Sequence, residues 1–124
     1  QRQMCIRDRC IIDWEANSES YEGKLAVANV VLNRVRSSAY PNSISGVIYQ
    51  RSQFSGVSDG AGSPSAKFQS RINSGLRSQA CMDAAVEALS GHNNIGGYTS
   101  FRMISAANIS SMSSYVIIGN HVFH

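Results

Sequence analysis

Three glutamates stand close together in the stretch DWEANSESYEGK: Glu15, Glu19 and Glu22, spaced by four and then three residues. On a continuous helix they would share one face, where like charges cost about 0.2–0.5 kcal/mol per pair. Two arrangements offset such a cost. One is a solvated helix start, with Ser20 capping a helix that begins at Tyr21 and Glu22 favoured in its first turn. The other is acid catalysis, in which burial and neighbouring negative charge raise one carboxyl pKa until it holds a proton near neutral pH.

Other groupings of reactive residues carry less. The run GVSDG, from Gly56 to Gly60, matches the G-x-S-x-G nucleophile elbow, and Asp83 and His121 follow it in the order of a triad. That elbow needs a strand before the serine and a helix after it, whereas both flanks here are rich in Ser, Gly and Gln and read as loop. His121 and His124 are three apart, so on a strand they point to opposite faces and do not converge on one metal ion. No Gly-rich turn carries the Lys followed by Ser or Thr of a phosphate-binding loop. Cys5, Cys10 and Cys81 form no CxxC pair, and a buried thiol is expected at Cys81. No metal or cofactor is expected.

The elements that must position the carboxylates follow from patterning. With 124 residues and 43% hydrophobic content, the chain fits one domain with a real core. No apolar run is long enough to span a bilayer. The net charge of +3 is uneven: the first nine residues hold three arginines against one aspartate, leaving only +1 elsewhere. No nucleic-acid-binding face is implied. Residues 1–9 have neither periodicity nor an apolar signal region and resemble translated adapter sequence, so they are expected to be non-native or disordered, with the domain spanning 10–124.

KLAVANVVLNRVRSS, residues 24–38, sets Leu25, Ala28, Leu32 and Val35 on one stripe, widened by Val27, Val30 and Val31. Such breadth predicts a central, largely buried helix, ended near Pro41. A short apolar segment, ISGVIY, follows, then an irregular stretch from Gln50 to Gly75 with one short helix after Pro64. A second clear helix is predicted in SQACMDAAVEALSG, with Ser78 as N-cap, Gly91 as stop, and Cys81, Ala84, Ala85, Ala88 and Leu89 as its apolar face. GYTSFRMI and SYVIIGNHVFH read as strands, with Gly119-Asn120 turning between two of them. Helices first and strands afterwards predict an α+β fold.

Read in order, Glu15, SYEG, AVANVVLNRV, YPNSISGVIY, QFS, the Ala-rich helix and VIIGNHVF resemble the SleB/CwlJ family of bacterial cell-wall hydrolases over residues 11–124. The resemblance implies a small helical lobe and a minor antiparallel β lobe bordering a lysozyme-like glycan cleft. It implies a lytic transglycosylase or muramidase-like activity on peptidoglycan, such as the spore cortex, carried out beyond the cytoplasmic membrane and dependent on one glutamate. Matched position by position, that glutamate is Glu15; Glu19, Glu22, Asn33, Gln53, Phe54 and His121 coincide with other recurrent positions. Asn17-Ser18 replaces the Arg-Gly-like pair of many members, and Trp14 precedes the acid.

A transglycosylase needs only one carboxyl group. It protonates the leaving O4 of N-acetylglucosamine and then accepts the proton of the C6 hydroxyl of the same muramic ring, which closes to a 1,6-anhydro sugar. A muramidase would recruit Glu19 or Glu22 as a second carboxylate and release reducing ends through water. A glycan-binding module without turnover is the third alternative. Trp14, Glu19 and Glu22 are expected to raise the Glu15 pKa together. Phe54, Tyr98, Phe101 and Tyr115 are candidate aromatic platforms, of which one or two should face glycan. The expected substrate contacts are thus Glu19, Glu22, Gln53, Phe54, Tyr98, Phe101 and His121. Asn33, inside the apolar helix, needs buried partners and suits a structural bond to a loop as well as it suits substrate.

Overall fold

The computed structural model describes residues 11–12, 14–16, 19–50, 60, 63–74 and 79–124. Residues 11–12 and 14–16 are helical, and the chain bends at Glu19 before helix α1, Tyr21–Arg36. Ser20 caps α1 as predicted: its backbone is extended and its side chain accepts a hydrogen bond from the Gly23 amide at 3.3 Å. The non-helical Glu19 and Ser20 remove the continuous helix on which three carboxylates would have shared a face.

Three shorter helices follow: α2 (Ile44–Ile48), α3 (Ala66–Ser74) and α4 (Gln79–Leu89). Ser43 opens α2 by accepting from the Gly46 amide, and Ser65 opens α3 by accepting from the Phe68 amide. A side chain at Gly46 would come within 2.8 Å of Pro41, so glycine is what lets the preceding turn fold onto α2. Helix α4 ends in a Schellman arrangement, with Gly91 at φ +110°, its amide on the Ala88 carbonyl and the His92 amide on that of Glu87. The Gly91 stop is therefore as read from sequence, while Ser78 and the Gly56–Asp59 part of the elbow-like run lie outside the described residues.

Three-residue strands complete the domain: β1 (Phe101–Met103), β2 (Val116–Ile118) and β3 (His121–Phe123), in the antiparallel order β1-β3-β2. They are shorter than the patterning suggested: residues 97–100 are not regular strand, and Ile104 opens a short 3₁₀ segment, Ile104–Ala106. Gly119, at φ +60°, and Asn120 make the predicted turn between β2 and β3.

Helix α1 is buried continuously from Gly23 to Arg34 and separates two apolar clusters. Leu25, Ala28, Val31 and Leu32 pack with Ile11, Ile12, α2, Phe68 and the small face of α4. Ala26, Val27 and Val30 pack with Ala16, Ile95 and Phe123. A helix with apolar groups nearly all round suits this central place.

Polar groups on α1 then tie the sheet's approach loop down. Asn29 Nδ2 donates to the Leu25 and His92 carbonyls at 3.0 Å, Asn33 Nδ2 to those of Gly96 and Tyr98 at 2.9 and 2.8 Å, and Arg34 Nε to that of Thr99 at 2.6 Å. The structural role weighed for Asn33 is what its geometry supplies, and Asn29 and Arg34, which the sequence did not single out, join it.

Phe123→Ala should cost about 3–5 kcal/mol in urea unfolding, because it empties the cluster between α1 and the sheet. Ile117→Ala, at a side chain 47% exposed, should stay within about 0.5 kcal/mol of the wild type.

Candidate active site

The helical residues 14–16 carry Glu15, between Trp14, whose ring meets Phe68 edge-on at 5.5 Å, and Ala16, which is buried in the cluster with Phe123. Glu15 is thus held from both sides by neighbours locked in opposite cores. Its Oε1 is shut off from solvent and has no hydrogen-bond partner among the described residues. Burial alone pushes its pKa up to about 7. This corrects the expectation that the charges of Glu19 and Glu22 share in the shift, since only desolvation causes it.

Glu19 and Glu22 are turned elsewhere. The Glu19 amide donates to the Ala16 carbonyl at 3.0 Å, closing the turn that follows the acid. Its side chain is buried and accepts from the Asn120 amide and from Asn120 Nδ2, both at 2.9 Å. His121 Nδ1 lies 3.4 Å from Glu19 Oε1, and Lys24 Nζ donates to the Glu19 carbonyl. Burial acts to raise the Glu19 pKa, but the Asn120 bonds and the charges of His121 and Lys24 together hold it below the usual carboxylate value. Glycines make room for this contact: a side chain at Gly119 would come 2.6 Å from Glu19 Oε1, and one at Gly23 3.0 Å from Glu19 Cβ. Glu22 is exposed, and its carbonyl and Oε2 accept from Asn94 Nδ2 at 3.0 and 3.3 Å.

The remaining candidates separate. His121 is buried, with its ring edge-on to Phe101 at 5.3 Å, and Phe101 also stacks on Phe123. Both are packed as part of the sheet's inner face. Tyr98 lines a different concavity, its hydroxyl bonded to Ser114 Oγ. Tyr115 is 45% exposed. Gln53 and Phe54 lie outside the described residues. His121 and His124 do not converge, and no group of three metal-ligating side chains occurs among the described residues. Asn120, the partner of Glu19, is legible in the sequence only as a turn residue, which shows the turn but not what its amide binds.

Two opposite pH signatures follow. The Glu15 pKa is higher folded than unfolded, so its contribution is fully present below the ordinary carboxylate value and is lost as pH rises through about 7. Glu15→Gln should therefore be more stable than the wild type at pH 8, by roughly 1–3 kcal/mol, and nearly equal to it at pH 4, in urea titrations. The Glu19 pKa is lower folded than unfolded, so its stabilisation is present above the ordinary value and lost as pH falls through the folded one. Glu19→Gln should lose about 1–3 kcal/mol at pH 7 and show a flatter acid limb in the same titrations.

Known proteins match this architecture. The family model described as Cell Wall Hydrolase matches residues 18–124, a stretch that begins just after Glu15. The spore cortex-lytic enzyme of Halalkalibacterium halodurans is 33% identical over 112 residues, 88% of this chain and 31% of that protein. The enzyme of the same description from Bacillus subtilis (strain 168) is 50% identical over 46 residues, 37% of this chain and 15% of its own length. The chain therefore spans less than a third of either relative. Among solved structures, the catalytic domain of the germination-specific lytic transglycosylase SleB from Bacillus anthracis superposes with a TM-score of 0.78 at 25% identity, covering 99% of this chain and 94% of that one. The catalytic domain of Bacillus cereus SleB gives 0.76 at 28% identity, covering 98% and 89%. With a mixed α and antiparallel β fold of that type and a family match across most of its length, the chain belongs to the cell wall hydrolase family.

Proposed function

We propose that this domain is a lytic transglycosylase of peptidoglycan, with Glu15 as its single acid and base. The observation that carries the reading is the half-buried Glu15 carboxyl, whose Oε1 is closed to solvent and has no hydrogen-bond partner among the described residues and whose pKa is pushed up to about 7. Such a group is protonated often enough near neutral pH to donate and, once ionised, basic enough to take a proton back. It protonates the glycosidic O4 as the bond to the muramic C1 breaks, and its carboxylate then takes the C6 hydroxyl proton as that oxygen bonds to C1. The substrate supplies the nucleophile, so no second carboxylate is required.

The arrangement of the other acids favours this over a muramidase. Glu19 already accepts two hydrogen bonds from Asn120 and is buried against the hairpin, and Glu22 is exposed and bonded to Asn94. Neither is left as a base for water. The relatives' descriptions as spore cortex-lytic enzymes and as a germination-specific lytic transglycosylase support cortex peptidoglycan as substrate. Action outside the cytoplasmic membrane follows from that substrate. No helix among the described residues is long and apolar enough to cross a membrane.

Digestion of cortex and vegetative peptidoglycan, followed by mass spectrometry, tests the proposal. The wild type should release 1,6-anhydromuramic products, and Glu15→Gln should lower turnover at least about 10³-fold, since it keeps the shape and removes the proton. Reducing-end products would instead identify a hydrolase, and equal behaviour of the two proteins would remove Glu15 from catalysis. The rate should fall as pH rises through about 7, the value at which the acid loses its proton.

A further inference from the structure

A concavity of about 720 Å³ is walled by Tyr98, Arg102, Asn108, Met112, Ser114 and His124, among others, and Glu15 is not part of its lining. Strand register places it on the outer face of the sheet. Arg102, Val122 and Ile117 are cross-strand partners and share one face, opposite the Phe101, Phe123 and Val116 row that packs toward α1. Reciprocal backbone bonds between Ser100 and His124 extend that ladder by one pair, and His124, two residues on from Val122, falls on the Arg102 face.

The lining is rich in donors. Arg102 is the cation of the wall, no Asp or Glu side chain lines it, and among the described residues no hydrogen bond or ion pair engages the guanidinium. Asn108 uses its carbonyl oxygens internally, Oδ1 accepting from Ser110 and the backbone O from Ser111, which leaves its amide donors unengaged. His124 contributes a nitrogen, Nε2, that is closed to solvent and has no hydrogen-bond partner among the described residues. Buried polar atoms of this kind are ordinarily satisfied. Tyr98 and Met112 supply apolar wall. A guanidinium with neutral donors and an apolar wall, in a volume typical of ligand sites, suits an acceptor-rich ligand that carries a carboxylate on a short aliphatic frame.

We propose that this concavity binds the acidic peptide stem that muramic acid carries through its lactyl group, with Arg102 pairing a stem carboxylate. The assignment rests on peptidoglycan being the substrate. It adds a peptide-reading site, distinct from the acid, that anchors the polymer during cleavage. Such anchoring is equal in ground and transition states and therefore appears in KM and not in kcat.

Steady-state cleavage of glycan chains bearing stems is compared with cleavage of the same chains stripped by an N-acetylmuramoyl-L-alanine amidase. The wild type should show a KM about 10-fold lower for the stem-bearing chains, and Arg102→Ala and Asn108→Ala should each shrink that preference toward unity. In parallel, calorimetry on Glu15→Gln with a disaccharide-tetrapeptide, the disaccharide alone and the free tetrapeptide reads the site without turnover. Arg102→Ala in that background should weaken the two peptide-containing ligands about 10-fold and leave the disaccharide unaffected. No stem preference in the wild type, or equal weakening of all three ligands, would overturn the proposal. Absence of turnover with stem-dependent binding intact would instead refute the transglycosylase reading and leave this one standing.

Discussion

The contact between Glu19 and the Gly119-Asn120 turn joins parts of the chain a hundred residues apart, and the arrangement of the site depends on it. Glu19 closes the turn after the acid through its amide and grips the β hairpin through its carboxylate. Both bonds to Asn120 are charge-assisted and the carboxylate is buried, so losing the Asn120 donors leaves an unsatisfied charge in the interior. Glycine at 119 is required twice, for a positive φ and for the absence of a side chain where Glu19 Oε1 sits. The hairpin is thereby a brace for the residues that carry Glu15.

Around that brace, α1 serves as the shared wall of two cores. Its apolar groups divide between the helical cluster and the sheet, and three polar side chains, Asn29, Asn33 and Arg34, satisfy the carbonyls of the loop leading to β1. An irregular loop crossing a buried helix would otherwise bring unpaired carbonyls into the interior. The N-terminal end of α1 also meets the end of α4, where Tyr21 donates to Glu87 at 2.6 Å and His92 pairs with the same carboxylate. The position of Glu15 thus follows from packing on both sides of one helix.

A proton-holding carboxyl is created here by desolvation, without help from a neighbouring negative charge. That has a thermodynamic consequence: the group proposed as the acid is also the one whose ionisation opposes folding. Glu19 has the reverse character, since its charge is stabilised by donors aimed at it. Two glutamates four residues apart therefore have pKa values moved in opposite directions, because burial desolvates one and Asn120 donates to the other.

How much of this could be read from residues alone depends on the range of the interaction. Local periodicity and caps placed the buried helix, the Ser20 cap, the Gly91 stop, the short helix after Pro64 and the turn at Gly119-Asn120, because each is decided by a few neighbouring residues. The α+β order and the grouping of Glu15 with Glu19 and Glu22 were also legible. What the patterning did not contain was the direction of each carboxylate. The three diverge because the helix breaks at Glu19, and their partners, Asn120 and Asn94, are brought in only when the sheet docks on α1. The same holds for Tyr98 and Phe101, indistinguishable as strand aromatics until the fold stacked Phe101 on Phe123 and left Tyr98 at the edge of that cluster, where it also walls the outer concavity. The sequence by itself determined which elements form and which residue types are available for chemistry. Which carboxyl keeps its proton was decided by the tertiary structure, because burial and long-range hydrogen bonds exist only once the two cores have closed around α1.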